Sequence, residues 1–339
     1  MTRNGPPGIE IDALETFLRA HRPGMFDGRL AVTLISGGRS NLTYLVTDGR
    51  RKWVLRRPPL GHVLETAHDM SREYRVLEAL ADTDVPVPRP RVIAGPEPLG
   101  APFYVMDFTE GTVLRERGDL DDFGTSPRDL AHNLADTLAR LHLLDPAAVG
   151  LGELGRPQGF LERQVRRWQR QLLASHSRDL PELSALGERL ARELPIQQPP
   201  AIVHGDYRLD NVMVDPASGR IVGVLDWEMA TLGDPLTDVA SMALWWDGIR
   251  GLNSPVAAVP GDVPGFPDSD VLIERYFERV GREPADLSWY LGFAYYKIAA
   301  IFEGIHYRSQ QGLTVGAGFE GLGVMVPALV ERGHAALVA

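Results

Sequence analysis

The chain has 339 residues, 44% hydrophobic and 24% charged, and its 35 Lys and Arg against 45 Asp and Glu give a formal net charge of −10. It contains no cysteine, which excludes disulfide frameworks, thiol nucleophiles, iron–sulfur clusters and cysteine-ligated zinc. The acidic balance argues against a nucleic-acid or anionic-membrane partner, both of which call for a basic surface. Residues 1–20 lack an apolar core of signal-peptide length, and the most apolar stretch, from Trp289 to Phe302, is broken by Lys297. A cytoplasmic protein with a small-molecule partner is the expectation.

In chain order, Ile11, Leu14, Phe17 and Leu18 fall on one side of a helix over 9–20. Three strands follow, 30–35, 42–47 and 52–56, separated by the glycine-bearing turn Ser36-Gly-Gly-Arg-Ser-Asn41 and the Asp48-Gly49 turn. Met70, Tyr74, Leu77 and Ala81 recur at helical spacing between proline breakers, and 91–94 and 103–108 read as two further strands. From Ser126 onward the texture is helical: 130–142, 160–174, 183–194, 238–246, 271–280 and 287–308. One hairpin interrupts it, 212–214 and 221–225 joined by Asp215-Pro-Ala-Ser-Gly219. The fold class expected is α+β, with a β-rich part over 1–106 and a larger helical part over 107–339.

The chemistry concentrates in Ile202-Val-His-Gly-Asp-Tyr-Arg-Leu-Asp-Asn211, the hairpin, and Leu225-Asp-Trp-Glu228. Asp206, Asn211 and Asp226 are all oxygen donors, and hard oxygen donors without thiolates suit Mg²⁺ completed by substrate phosphates. That combination fits phosphoryl transfer, which is mostly positioning and charge neutralisation around a phosphate. Asp215, set in a Pro-Ala-Ser-Gly turn, reads as a turn residue instead. His204, beside an apolar Ile-Val pair, reads as a residue that packs and fixes the backbone. Asp234 and Asp238 read as a helix cap and a brace for the loop.

The order H-G-D-x-x-x-x-N followed by L-D-W-E resembles the aminoglycoside phosphotransferase family, whose fold is protein-kinase-like with two lobes. The finer look of Val54-Leu-Arg-Arg-Pro-Pro59, Arg72-Glu-Tyr74, Arg163-Gln-Val-Arg-Arg-Trp168 and Gly233-Asp-Pro235 is similar to the kinase-like domain associated with acyl-CoA dehydrogenases. The resemblance implies an ATP- and Mg²⁺-dependent phosphotransferase acting on a hydroxyl group. Asp206 would then be the catalytic residue that accepts or orients the acceptor's proton, with Asn211 and Asp226 as metal ligands. Gly37, Gly38, Ser40 and Asn41 would lie along the nucleotide phosphates, and the backbone at Met106 and Phe108 along the adenine edge. Arg56 stands where kinases carry a lysine, with Glu73 as its expected partner; the alternative for Glu73 is a surface pair with Arg72 or Arg75.

The acceptor is the open question. Arg163, Arg166 and Arg167 form a basic run that is either a solvated helical face or an anion-attracting rim. Glu228 is placed behind the metal aspartate, and Trp289 either in the core or on the acceptor wall. A hydroxy-acid or hydroxyacyl thioester is the expected acceptor. The alternatives are an aminoglycoside, or an idle nucleotide-binding module for which Arg56 is the best argument.

Overall fold

The computed structural model describes residues 5–37, 41–60, 69–175, 178–252, 254–312 and 321–338. The chain divides into two compact units, one of residues 1–110 with 223–228, the other of residues 111–222 with 229–339.

The first unit is a five-stranded antiparallel sheet with a helix on each side. Its strands are β1 (Ala31–Gly37), β2 (Leu42–Thr47), β3 (Lys52–Arg57), β4 (Pro90–Ala94) and β5 (Phe103–Asp107), ordered β1-β2-β3-β5-β4. Helix α1 (Ile11–His21) precedes the sheet. Its Leu14 and Leu18 pack with Tyr44, Val46, Trp53, Leu55, Phe103 and Val105 into a continuous core. Alternation along β3 then turns Val54 and Arg56 to the opposite face. The register pairs Arg56 with Tyr104, so those two side chains are cross-strand neighbours on the face that lacks α1.

Helix α2 (Met70–Leu80) carries the other half of that face. The Asp69 side chain caps it by accepting the Arg72 N–H at 3.0 Å. Met70, Glu73, Tyr74, Val76, Leu77 and Leu80 are buried, so helical spacing draws a carboxylate into an apolar stripe. The chain returns to this unit at 223–228, where the Val224 N–H donates to Pro86 O at 2.8 Å. Trp227, 1% exposed, donates its indole N–H to Val224 O.

The second unit is mainly helical. It contains α3 (Arg117–Asp121), α4 (Pro127–Leu143), α5 (Phe160–Ala174), α6 (Pro181–Arg192), α7 (Leu236–Ala243), α8 (Ser269–Val280), α9 (Ser288–Gln310) and α10 (Leu322–Ala336). Short strands β6 (Ala201–Val203) and β9 (Thr231–Gly233) pair antiparallel, and β7 (Val212–Val214) pairs with β8 (Ile221–Val224). The turn between β7 and β8 is closed by Gly219, at φ +68°, whose N–H donates to Asp215 O. This is the mixed α+β class expected from the sequence. Helix α10 and the β6–β9 pair lack a clear sequence signal: the strands have three residues each, and α10 carries Pro327 inside it.

Candidate active site

In the first unit, Arg56 and Glu73 meet in the interior. Arg56 Nε lies 3.6 Å from Glu73 Oε2, with side-chain exposures of 11% and 1%. Arg56 Nη2 reaches Asp226 Oδ1 at 3.0 Å. Tyr104 donates its hydroxyl to Glu73 Oε2 at 2.7 Å, and Asn41 donates its amide to Glu73 Oε1 at 3.1 Å. Burial pushes the Glu73 carboxyl above its ordinary range, and the Arg56 charge and these hydrogen bonds only partly offset it. For Arg56 burial works against the charge, but Tyr104, Glu73 and Asp226 outweigh it and raise its pKa. The buried pairing of Glu73 with Arg56 is therefore the one found.

Asp226 is the one non-glycine with positive φ (+66°) among the described residues. Aspartate tolerates this left-handed geometry better than most side chains do, and it is typically kept where a site requires it. Glu73, Asp226 and Glu228 each offer a carboxylate oxygen within 4.8 Å of the others. Arg56 pairs with two of these carboxylates, Glu73 and Asp226, and an all-oxygen donor set of this kind fits a hard dication that keeps part of its water.

In the second unit, β6 leads directly into the loop that carries Asp206. His204 is fully buried, and its Nδ1 accepts the Asp206 N–H at 3.3 Å. Gly205 has φ +84°, and a Cβ there would meet Met229 O at 2.8 Å, so the turn requires glycine. The Asp238 carboxylate accepts the N–H of His204 at 2.6 Å and of Gly205 at 2.9 Å, and lies 3.3 Å from His142 Nε2. Asp234 accepts from the Leu236 N–H, the Gln198 N–H and the Tyr290 hydroxyl. The expected cap and brace are thus Asp234 and Asp238 respectively.

Asn211 spends its amide nitrogen on Asp206, donating to the backbone O at 2.9 Å and to Oδ2 at 3.0 Å. Burial alone would raise the Asp206 pKa, but Arg208, Lys297, His204 and the Asn211 amide together lower it. Arg208 Nε sits 3.4 Å from Asp206 Oδ2 and 3.0 Å from Asp210 Oδ1. Lys297 Nζ, from α9, donates to Gly205 O. A carboxylate kept ionised and aimed by an amide can orient a hydroxyl and receive its proton.

The remaining expected residues fall out as follows. Gly37 ends β1 opposite Leu42, while Gly38 and Ser40 lie outside the described residues. Asn41 faces Glu73, as given above. Met106 lies inside β5, paired with Val54, and Phe108 donates its N–H to Lys52 O at 3.4 Å. Arg163 donates to backbone carbonyls of Gln158 and Arg156, and Arg166 pairs with Glu162 at 2.6 Å with 67% of its side chain exposed. Arg167 instead lies over the Trp168 ring, 5.2 Å from its centroid. Trp289 is buried, stacked on Phe293, with its indole N–H on Leu190 O at 3.1 Å. Arg208, Tyr104 and Lys297 were not singled out by motif; a lone lysine inside the apolar run of α9 was the available signal for the last.

Residues 31–266 match the sequence profile described as the phosphotransferase enzyme family. The chain belongs to that family. It is 35% identical over 317 residues to rat acyl-CoA dehydrogenase family member 11, covering 90% of this chain and 40% of that protein. It is 32% identical over 339 residues to mouse acyl-CoA dehydrogenase family member 10, covering 95% and 31%. The chain thus spans about two-fifths or less of these relatives. Among solved structures, a provisionally named aminoglycoside phosphotransferase from Ralstonia eutropha superposes with TM-score 0.82 at 33% identity, covering 96% of this chain and 98% of that one. An aminoglycoside phosphotransferase solved with GDP and kanamycin has TM-score 0.64 at 17% identity over 95% and 98%, a likeness of fold. No described helix is long and apolar enough to cross a membrane.

Two measurements check this arrangement. Arg56→Ala and Glu73→Gln should each destabilise the fold, Arg56→Ala by about 3–5 kcal/mol because it strands a buried carboxylate. The double variant should cost less than the sum of the two in urea melts, whereas strict additivity would show that the pair is not coupled. The second concerns Asp238. Burial raises its pKa, but the His142 and backbone hydrogen bonds prevail and it is held low. A depressed carboxylate contributes stability above its unfolded value near 4, which is lost as pH falls through the folded value. Asp238→Asn should therefore cost about 1–3 kcal/mol at pH 7 and distinctly less at pH 3; an equal cost at both would exclude the charge as its origin.

Proposed function

We propose that this phosphotransferase is an ATP- and Mg²⁺-dependent kinase of a small acceptor's hydroxyl group, the acceptor being a hydroxy-acid or hydroxyacyl thioester. The observation that carries the reading is the commitment of the Asn211 amide to Asp206. It fixes the carboxylate that would receive the hydroxyl proton and leaves Asn211 Oδ1 for a metal. Asn211 and Asp226 would hold Mg²⁺, which when bound neutralises phosphate charge and polarises the transferred group. A supply of ATP supports a cytoplasmic setting for the reaction.

The chain's own residues supply the rest. Asp206 orients the acceptor hydroxyl and takes its proton late, because a loose transition state does not need a strong base. Arg56, bound to Glu73 and Asp226, holds the first unit's charges in place and offers a forked cation for nucleotide phosphates. The cations Arg208 and Lys297 beside Asp206 favour an acceptor with negative charge over an aminoglycoside, whose ammonium groups they would repel. The idle nucleotide-binding reading draws on Arg56, but loses ground because Asp206 and Asn211 keep their mutual geometry.

Asp206→Asn should lower kcat of ADP formation by about 10² or more while leaving AMP-PNP affinity nearly unchanged. Asp226→Asn should abolish Mg²⁺-dependent turnover. A full rate in either variant would remove that residue from the chemistry, and loss of nucleotide affinity in Asp206→Asn would reassign Asp206 to the fold.

A further inference from the structure

Lys297 is a charged residue placed where the chain would otherwise put a hydrophobe. On α9 its neighbours Phe293, Ala294, Tyr296, Ile298, Ala300 and Phe302 are all buried. Withdrawing an ammonium from water is costly unless its donors and its charge are met. Nζ donates to Gly205 O, and the ring of Trp168 lies 5.9 Å away. Among the described residues no carboxylate comes within ion-pairing distance of Nζ, although Asp206 and Asp238 act on it from farther off. The task of neutralising Asp206 at short range belongs to Arg208, which is shared with Asp210 and lies over the Trp245 ring at 4.4 Å.

The surroundings are also rich in donors. The indole N–H groups of Trp168 and Trp245 are buried without an acceptor among the described residues. Arg167, over the Trp168 ring, is a second cation acting on Lys297. Among the described residues this ammonium holds one backbone carbonyl and lies near the Trp168 ring, whose own indole N–H is a further donor without an acceptor. An oxyanion supplies acceptors and charge together.

We propose that Lys297 is a specificity-determining residue that binds an oxyanionic group of the acceptor, a carboxylate or a phosphate ester, and so holds the acceptor's hydroxyl at Asp206. This rests on the reading of Asp206 as the residue that takes the hydroxyl proton. Lys297 thus does for the acceptor what the basic run of α5 would do if it were an anion-attracting rim, from inside the second unit and through α9. It also accounts for a lysine inside an apolar helix, which loop support alone does not require, since the N–H groups of His204 and Gly205 are already held by Asp238.

The test is a calorimetric titration of the full chain with malonate, and separately with inorganic phosphate, at saturating Mg²⁺ and AMP-PNP so that the nucleotide site is filled. Binding of at least one anion is expected in the wild type, at least ten-fold weaker in Lys297→Met and Lys297→Gln, and largely kept in Lys297→Arg. AMP-PNP affinity, measured alongside, should be equal in all four proteins. Malonate preference would identify a carboxylate, phosphate preference a phosphate ester. Equal anion binding in Lys297→Gln, or no binding of either anion by the wild type, overturns the proposal. No turnover enters this measurement, so failure of the kinase reading, seen as a full rate in Asp206→Asn, would show up separately.

Discussion

The carboxylate of Asp238 fixes the backbone from which the chemistry is built. By accepting two consecutive N–H groups, those of His204 and Gly205, it clamps the chain as it leaves β6. The left-handed Gly205 then turns the chain so that Asp206 emerges with its own N–H on His204 and its side chain toward Asn211. Asp238 bears this load because it is itself held, by His142 on α4, whose other ring nitrogen meets the Tyr276 hydroxyl on α8. Three helices of the second unit thus converge on one loop through a single anion. Such a network is worth more than its individual bonds, since each member would be unsatisfied and buried if a neighbour left.

The first unit solves a different problem with the same tools. A helix stripe delivers Glu73 into the interior, and strand register delivers Arg56 and Tyr104 to meet it. Arginine at this place changes the electrostatics as well as the shape. Its planar fork contacts Glu73 and Asp226 together, whereas an ammonium concentrates its charge at one point. Asp226 is consequently tied to the sheet through Arg56, and the segment 223–228 is anchored beside Pro86 by backbone and by Trp227 packing. The strained φ of Asp226 is tolerable because both flanks are held.

Much of this was legible in the sequence because it is local. β-rich runs set between turn signals mark β1 to β3, turn chemistry marks the Asp215–Gly219 reversal, and the spacing of Asp206 and Asn211 is itself the geometry of a short turn. What sequence could not give is long-range. Asn41 reads as a residue lying along the nucleotide phosphates, with nothing in the sequence to link it to Glu73, yet it is 3% exposed and bonded to Glu73, 32 residues away. The arginines of α5 look alike in sequence. Rotation about the helix separates Arg163 and Arg166, spent on nearby partners, from Arg167, turned toward Trp168. Helix α10 escaped because its apolar residues surround it rather than forming a stripe, as suits a helix packed closely on α9.

Net charge proved the least informative of the sequence quantities, for a physical reason. A total of −10 is spread over a surface where each charge is screened within about 8–10 Å by salt. At Asp206 the charges that count are the part-buried ones, where screening fails and the dielectric is low. There the balance is far closer to even: Arg208, Lys297 and Arg167 stand with Asp206, Asp210 and Asp238, and burial raises the pKa of Asp210 so that its negative charge is weakened. An acidic protein can therefore hold a site whose local charge differs from that of its surface. The sign of that local field, rather than of the whole molecule, decides which acceptor's desolvation is compensated.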